Sequence, residues 1–324
     1  MTSLEICAGA GGQAIGLERA GISPSMLMDV EGDACRTLRW NRRSWAVEQV
    51  DLNYFDPYHH EATRGVDLLS GGLPRVKSAA TATRVETGEQ WRLLRTAVRL
   101  ARVMRPRAVL LENMPELIER PRFSDAREWL EKSLTSLGYV VTCGVLTASD
   151  FGVPQVRRQG FLVALRDDCE EQFHWPEPSG VAAPTLGEAL SDSMASKDWP
   201  GAASWVARAN APAPTIVGGS SDRGGADLGP SGQKNAWARF GINGKSIGDD
   251  VPDANFPADG MPRLTVRQAA LLQSFPETWT LVGKKTSTYR QVGHATPPPV
   301  AEAIGRALVR ALEGEDASQD DTDT

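Results

Sequence analysis

SLEICAGAGGQAIG, residues 3–16, decides how this chain folds. A short apolar strand, Ser3 to Cys7, runs into Ala8-Gly9-Ala10-Gly11-Gly12. A helical pattern follows through Leu17, Glu18 and Arg19 and stops at Gly21. Strand, glycine loop and helix in that order make a nucleotide-type cofactor site, because glycines let the backbone approach a ligand beside a helix N-terminus. A second strand, Met26 to Val30, carries Asp29 and leads to Glu31. An acid about twenty residues past such a loop is placed to bind ribose hydroxyls. A third short segment, Val47 to Asp51, closes on Asp51. This βαβ layout predicts an open α/β sheet. Alone it fits a dinucleotide and S-adenosylmethionine equally well.

Working outward, VDLLSGGLPRVKS (Val66 to Ser78) reads as a buried strand that stops at Ser70-Gly71-Gly72, where a tight turn lifts the chain out. Trp91 to Arg102 has Leu94, Val98 and Ala101 on one helical face. Ala108 to Leu111 is a second buried strand, delivering Glu112-Asn113-Met114-Pro115 to the same sheet edge. A carboxylate there is either a helix-cap acid or a catalytic one. A helix over Glu128–Leu137 and strands over Val140–Leu146 and Gly160–Leu165 complete this part, with Asp150 to Gln159 between the strands.

Composition then shifts. From about residue 176 to 262 the chain is rich in Gly, Pro, Ser and Asp with little periodicity, which predicts a small irregular recognition region. Regular structure resumes with an N-capped helix from Arg263 to Ser274 and ends with one from Val300 to Leu312. The expected division is a large domain over 1–175, a recognition region over 176–262, a return to the large domain over 263–312, and a disordered acidic tail over 313–324.

The formal charge of −6 sits in that tail: Glu313, Glu315, Asp316, Asp320, Asp321 and Asp323 come without a base, so the body is near neutral. Acidity therefore neither excludes nor supports a nucleic-acid partner. No run of eighteen apolar residues suggests a membrane span, and no signal-peptide pattern opens the chain, which points to a cytoplasmic protein without membrane partners. Four cysteines (Cys7, Cys35, Cys143, Cys169) lie far apart without a CxxC pair. They suit a reducing compartment and argue against a metal site.

Taken together, ICAGAGG, ENM, FGVPQVRRQ, RLTVRQAALLQSFP and YRQVGHATPPPVAEAIG resemble the C5-cytosine DNA methyltransferase family, in order and spacing, from Ser3 to Leu312. The resemblance implies a Rossmann-like S-adenosylmethionine-dependent domain with a small target-recognition domain. It implies that Gly9, Gly11 and Gly12 hold the cofactor's methionine end, that Asp29 takes the ribose and that Asp51 takes the adenine amino group. It also implies duplex DNA as substrate, with the target cytosine flipped out of the stack. In the family a thiolate adds to cytosine C6, making C5 nucleophilic. A glutamate, here Glu112, hydrogen-bonds or protonates N3. Arg157 belongs to the family's QxRxR element.

Four features depart from the family's pattern. Arg75 stands where the nucleophilic cysteine is expected, in Gly71-Gly72-Leu73-Pro74-Arg75, and a guanidinium stays protonated and cannot attack C6. The loop from Val76 to Thr81 lacks the usual aromatic–serine pair, Gln159 replaces the second arginine, and His294 replaces an asparagine. The expectation is a family member that binds S-adenosylmethionine and DNA with impaired or no methyl transfer by this chain alone, as a pseudoenzyme or as partner to an active methyltransferase or restriction system. The alternative is an active DNA cytosine-5 methyltransferase of a restriction–modification system. The recognition region carries Arg223, Lys234, Arg239 and Lys245, a thin basic supply for phosphate neutralisation.

Overall fold

The computed structural model describes residues 1–75, 88–169, 173–218 and 225–313. The altered loop Val76 to Thr81, Arg223 and the acidic tail after Glu313 lie outside the described residues. Chain contacts divide the protein into two units. The first comprises Met1–Leu146, Arg158–Glu177 and the C-terminal stretch from Val300; the second comprises Thr147–Arg157 and Pro178–Pro299.

In the first unit the elements are β1 (Thr2–Ile6), α1 (Gly12–Arg19), β2 (Ser23–Asp29), α2 (Gly32–Asn41), β3 (Val47–Gln49), β4 (Leu68–Gly72), α3 (Glu89–Met104), β5 (Ala108–Asn113), α4 (Pro115–Glu119), α5 (Ser124–Thr135), β6 (Tyr139–Thr147) and β7 (Arg158–Arg166). Seven strands form one sheet in the order β3-β2-β1-β4-β5-β7-β6. Strands β1 to β5 pair in parallel, and β7 runs antiparallel to β5. The central strands read as continuous apolar runs because both faces of a parallel sheet are covered. Leu68, Leu69 and Ala108 to Leu111 are accordingly all buried. One face carries Leu4, Ile6, Leu69, Val109, Leu111 and Leu162, packed with Leu94, Val98 and Ala101 of α3 and Leu130 of α5. The order of strands reverses on either side of β1, which has β2 on one flank and β4 on the other. Ligand crevices in open α/β sheets form at such a switch point.

One local expectation changes here. Ser70, Gly71 and Gly72 do not form a turn: they are the last residues of β4, and their backbone stays out of the left-handed region. A Cβ on Gly71 would stand 2.5 Å from Ile6 Cγ1 and 2.6 Å from the Ile6 carbonyl oxygen. The glycine meets a packing constraint across the β1–β4 pair, not a turning one.

In the second unit the stretch expected to be irregular holds three helices: α6 (Leu186–Ala195), α7 (Ala202–Arg208) and α8 (Ser231–Arg239). Leu186, Leu190, Trp205 and Trp237 from these helices share one apolar core with Leu272 of α9 (Val266–Leu272) and Tyr289 and Val292 of α10 (Lys285–His294). By contacts, then, the return to the first unit comes at Val300, with α11 (Pro298–Glu313), rather than at residue 263. Two capping boxes start these helices, Thr185 with Glu188 and Thr265 with Gln268. Each pairs the cap hydroxyl with a backbone N–H and returns a side-chain oxygen to the cap's own N–H. Among the described residues no helix is long and apolar enough to cross a membrane.

Candidate active site

The glycine loop is shaped by backbone conformation. Gly9 and Gly11 have φ of 53° and 83°, in the left-handed region open to glycine. Beside Gly9 there is open space where a side chain would otherwise stand. Gly11 is the N-cap of α1 and supplies no side chain to its first amides, so that helix end is available to an anion.

Asp29, expected at the ribose, touches this loop directly. Its Oδ2 accepts from the Gly9 N–H and its Oδ1 from the Glu31 N–H, both at 2.8 Å. Burial raises its pKa above the ordinary aspartate value, and those two N–H donors offset only part of the rise. Each oxygen accepts one backbone bond, and Asp29 thereby anchors the loop. The acid exposed to solvent just past that strand end is Glu31, at the N-cap of α2. Asp51 is exposed and accepts at Oδ1 from the backbone and side-chain nitrogens of Asn53, a local turn at the end of β3.

Beneath the loop, Glu5 of β1 is 1% exposed, and Asp29 is a nearby like charge. Burial first, and then the charge of Asp29, push its carboxyl from the ordinary value of 4.5 up to about 8. The folded state thus keeps a proton that the unfolded chain releases. Glu5 contributes full stability below pH 4.5, and that contribution is lost as pH rises toward 8, by at most about 1.4 kcal/mol per pH unit. Glu5→Gln should therefore raise the urea midpoint at pH 8.5 more than at pH 5. An equal shift at both values would refute the assignment.

The second constellation lies at the ends of β4 and β5. Gly72 pairs with Glu112 across the strands, and the Leu73 N–H donates to the Glu112 carbonyl at 3.1 Å. Asn113 Nδ2 donates to the Leu73 and Pro74 carbonyls, pinning the start of the loop that carries Arg75. Arg75 is exposed. Glu112 is half-buried, and its Oε1 accepts from Gln159 Nε2 at 2.8 Å. Gln159 stands on β7, with Glu112 paired to Phe161 in that ladder. The residue singled out as a departure is therefore the one that orients the carboxylate. A neutral amide there adds no positive charge beside Glu112.

Within the second unit, Arg157 is 3% exposed and Nη1 donates to the Ile216 and Gly293 carbonyls at 2.9 and 3.0 Å. Gln155, fully buried, accepts from the Ile216 N–H and donates to the Leu272 carbonyl and Gln273 Oε1. These two side chains knit the 214–218 segment to α9 and α10. A Cβ on Gly218 would stand 1.9 Å from the exposed His294 ring, which would have to swing aside. Of the recognition-region cations, Lys234 is paired with Asp227 at 2.7 Å, while Arg239 and Lys245 are exposed.

Residues 1–310 match the C-5 cytosine-specific DNA methylase family. The chain belongs to that family. It is 44% identical over 98% of its length to Type II methyltransferase M.NaeI of Lentzea aerocolonigenes, covering 76% of that protein. It is 40% identical over 97% of its length to Type II methyltransferase M.NgoMIV of Neisseria gonorrhoeae, covering 99% of that protein. Among solved structures, the S. pombe Dnmt2 methyltransferase superposes with a TM-score of 0.65 at 16% identity, covering 97% of this chain and 99% of that one. That likeness concerns the fold, a mixed α/β arrangement on a seven-stranded sheet. C5 DNA methylases in general use S-adenosylmethionine, and the loop described above fits such a cofactor. It has an uncapped helix end, open space at Gly9, and a buried Gln13 amide with no partner among the described residues.

Proposed function

We propose that this chain is a DNA cytosine-5 methyltransferase of the type II restriction–modification kind, acting on duplex DNA. The observation that carries this is near-full-length identity of 44% and 40% to two type II methyltransferases, together with a built cofactor loop and an oriented Glu112. When bound, S-adenosylmethionine supplies an electrophilic methyl group on its sulfonium. Gly9, Gly11 and Gly12 with the α1 N-terminus would hold its methionine end, and Asp29 would keep that loop in shape. Glu31 is a better candidate than Asp29 for the ribose hydroxyls, and Asp51 stays the candidate for the adenine amino group. Glu112, held by Gln159, would hydrogen-bond or protonate N3 of the flipped cytosine. Arg157 would act by positioning the segment around Ile216.

One residue favours a second reading, in which the chain binds cofactor and DNA but is a pseudoenzyme or a partner subunit. Arg75 occupies the place the family gives its nucleophile, and it cannot add to C6. The relatives lend that reading no support and favour an active enzyme. An active chain must then draw its nucleophile from elsewhere. Burial, the largest cause in each case, pushes the Cys35 thiol up to about 11 and the Cys143 thiol up to about 12, so neither offers much thiolate at neutral pH. Cys7 stands one residue past Ile6, which pairs with Gly71, and so is the described thiol at this sheet edge.

The test is transfer of labelled methyl from S-adenosylmethionine to duplex DNA by wild type, Arg75→Cys and Cys7→Ser. Wild type is expected to transfer. Intact cofactor binding with no transfer would establish the second reading instead. A gain on Arg75→Cys would trace the shortfall to that side chain, and a loss confined to transfer on Cys7→Ser would identify the thiol used.

A further inference from the structure

Gln13 follows the glycines of the cofactor loop directly, in the first turn of α1, and is 4% exposed. Among the described residues no hydrogen-bond partner reaches its Oε1 or its Nε2. A primary amide carries two donors and an acceptor, and leaving both ends unmade inside a protein is costly and rare. Packing alone does not call for it: the next residues of the helix, Ala14, Ile15 and Leu17, are buried and apolar, and a leucine at 13 would fill comparable space. A polar side chain kept there at a loss of stability has a partner from outside the chain.

The surroundings narrow what that partner is. The helix that carries Gln13 has no side-chain cap, so its first amides and dipole favour a carboxylate. Two more buried polar atoms, Glu5 Oε2 and Ser70 Oγ, have no partner among the described residues and lie on residues paired across β1 and β4. We infer that Gln13 recognises the amino-acid end of S-adenosylmethionine, Nε2 donating to its carboxylate and Oε1 accepting from its ammonium group. A zwitterion offers one strong acceptor and one strong donor, and the amide offers the complement of each. The inference rests on the cofactor assignment above and adds a side chain that selects for the methionine moiety. The competing occupant is an ordered internal water satisfying the same atoms.

Calorimetric titration of wild type, Gln13→Leu and Gln13→Met with S-adenosylmethionine and with 5′-methylthioadenosine, which lacks the amino-acid end, separates these. Loss of hydrogen bonds to charged groups should weaken S-adenosylmethionine binding about ten- to a hundredfold. Binding of 5′-methylthioadenosine should be unchanged, and the melting temperature of the ligand-free variants should stay level or rise. Equal losses on both ligands, or undiminished S-adenosylmethionine affinity with a lower melting temperature, would overturn the inference in favour of a structural role. A wild type that binds neither compound would overturn the cofactor assignment itself.

Discussion

Glu112→Gln should lower methyl transfer to duplex DNA about a hundred- to ten-thousandfold, the range for removing a positioned general acid. The substitution keeps the shape and the hydrogen-bonding capacity of the side chain but removes the acid. The Gln159 amide would still find an oxygen at the position it bonds at 2.8 Å, so the strand edge should stay in place. The loss should fall on the turnover rate, with S-adenosylmethionine affinity within about twofold of wild type, because Glu112 ends β5 while the cofactor loop follows β1. Radiolabel transfer under single-turnover conditions reads the first quantity and calorimetry the second. Retention of more than about a tenth of the wild-type rate would remove Glu112 from the chemistry.

Gly71→Val should cost about 3 kcal/mol of stability or more, read as a large drop in the urea midpoint. Already the first carbon of any side chain would stand 2.5 Å from Ile6 Cγ1 and 2.6 Å from a backbone oxygen. No rotamer relieves a clash made by Cβ itself. Relief requires moving β1 against β4 where Ile6 pairs with Gly71. Overpacking a well-filled core costs typically 1–3 kcal/mol, and a branched residue against backbone belongs at or above about 3 kcal/mol. Domain stability is only about 5–15 kcal/mol, so a large share of it would go. Gly71→Ala should fall between, as a clear drop in the urea midpoint. The neighbouring Gly72 is the control: its Cβ would meet only Glu112 Oε2, at 3.4 Å. Gly72→Ala should thus cost less stability than Gly71→Ala, and equal costs would show that the Ile6 contact is not the constraint.

The contrast between those glycines shows what a sequence hides. Gly9 and Gly11 announce a loop and do form one, with left-handed backbone. Ser70-Gly71-Gly72 looks the same in one dimension but is strand, because its constraint comes from Ile6, sixty-five positions away in the chain. Helices α6, α7 and α8 escape a reading of the sequence for a related reason. They are short, interrupted by Gly and Ser, and bury few positions each, so no periodicity rises above the background. Their stability comes from sharing one core with α9 and α10. Asp29 was taken for the ribose acid because its distance from the glycine loop fits. Which of Asp29 and Glu31 is left for a ligand depends on which carboxylate the Gly9 amide captures, and spacing along the chain carries no information on that.

The sequence by itself determined the α/β sheet, the cofactor loop, the edge position of Glu112 and the family, because these rest on local order: strand, glycine turn, helix, and apolar runs ending in an acid. It also determined that residue 75 is an arginine, whose chemistry needs no structure to judge. Only the tertiary structure decided that Gln159 holds Glu112, that Asp29 anchors the loop, and that Arg157 and Gln155 tie the Ile216 segment to α9 and α10. It alone revealed Gln13 as a buried amide without a partner among the described residues. Each of these depends on a hydrogen bond made, or left unmade, between groups that folding alone brings within about 3 Å.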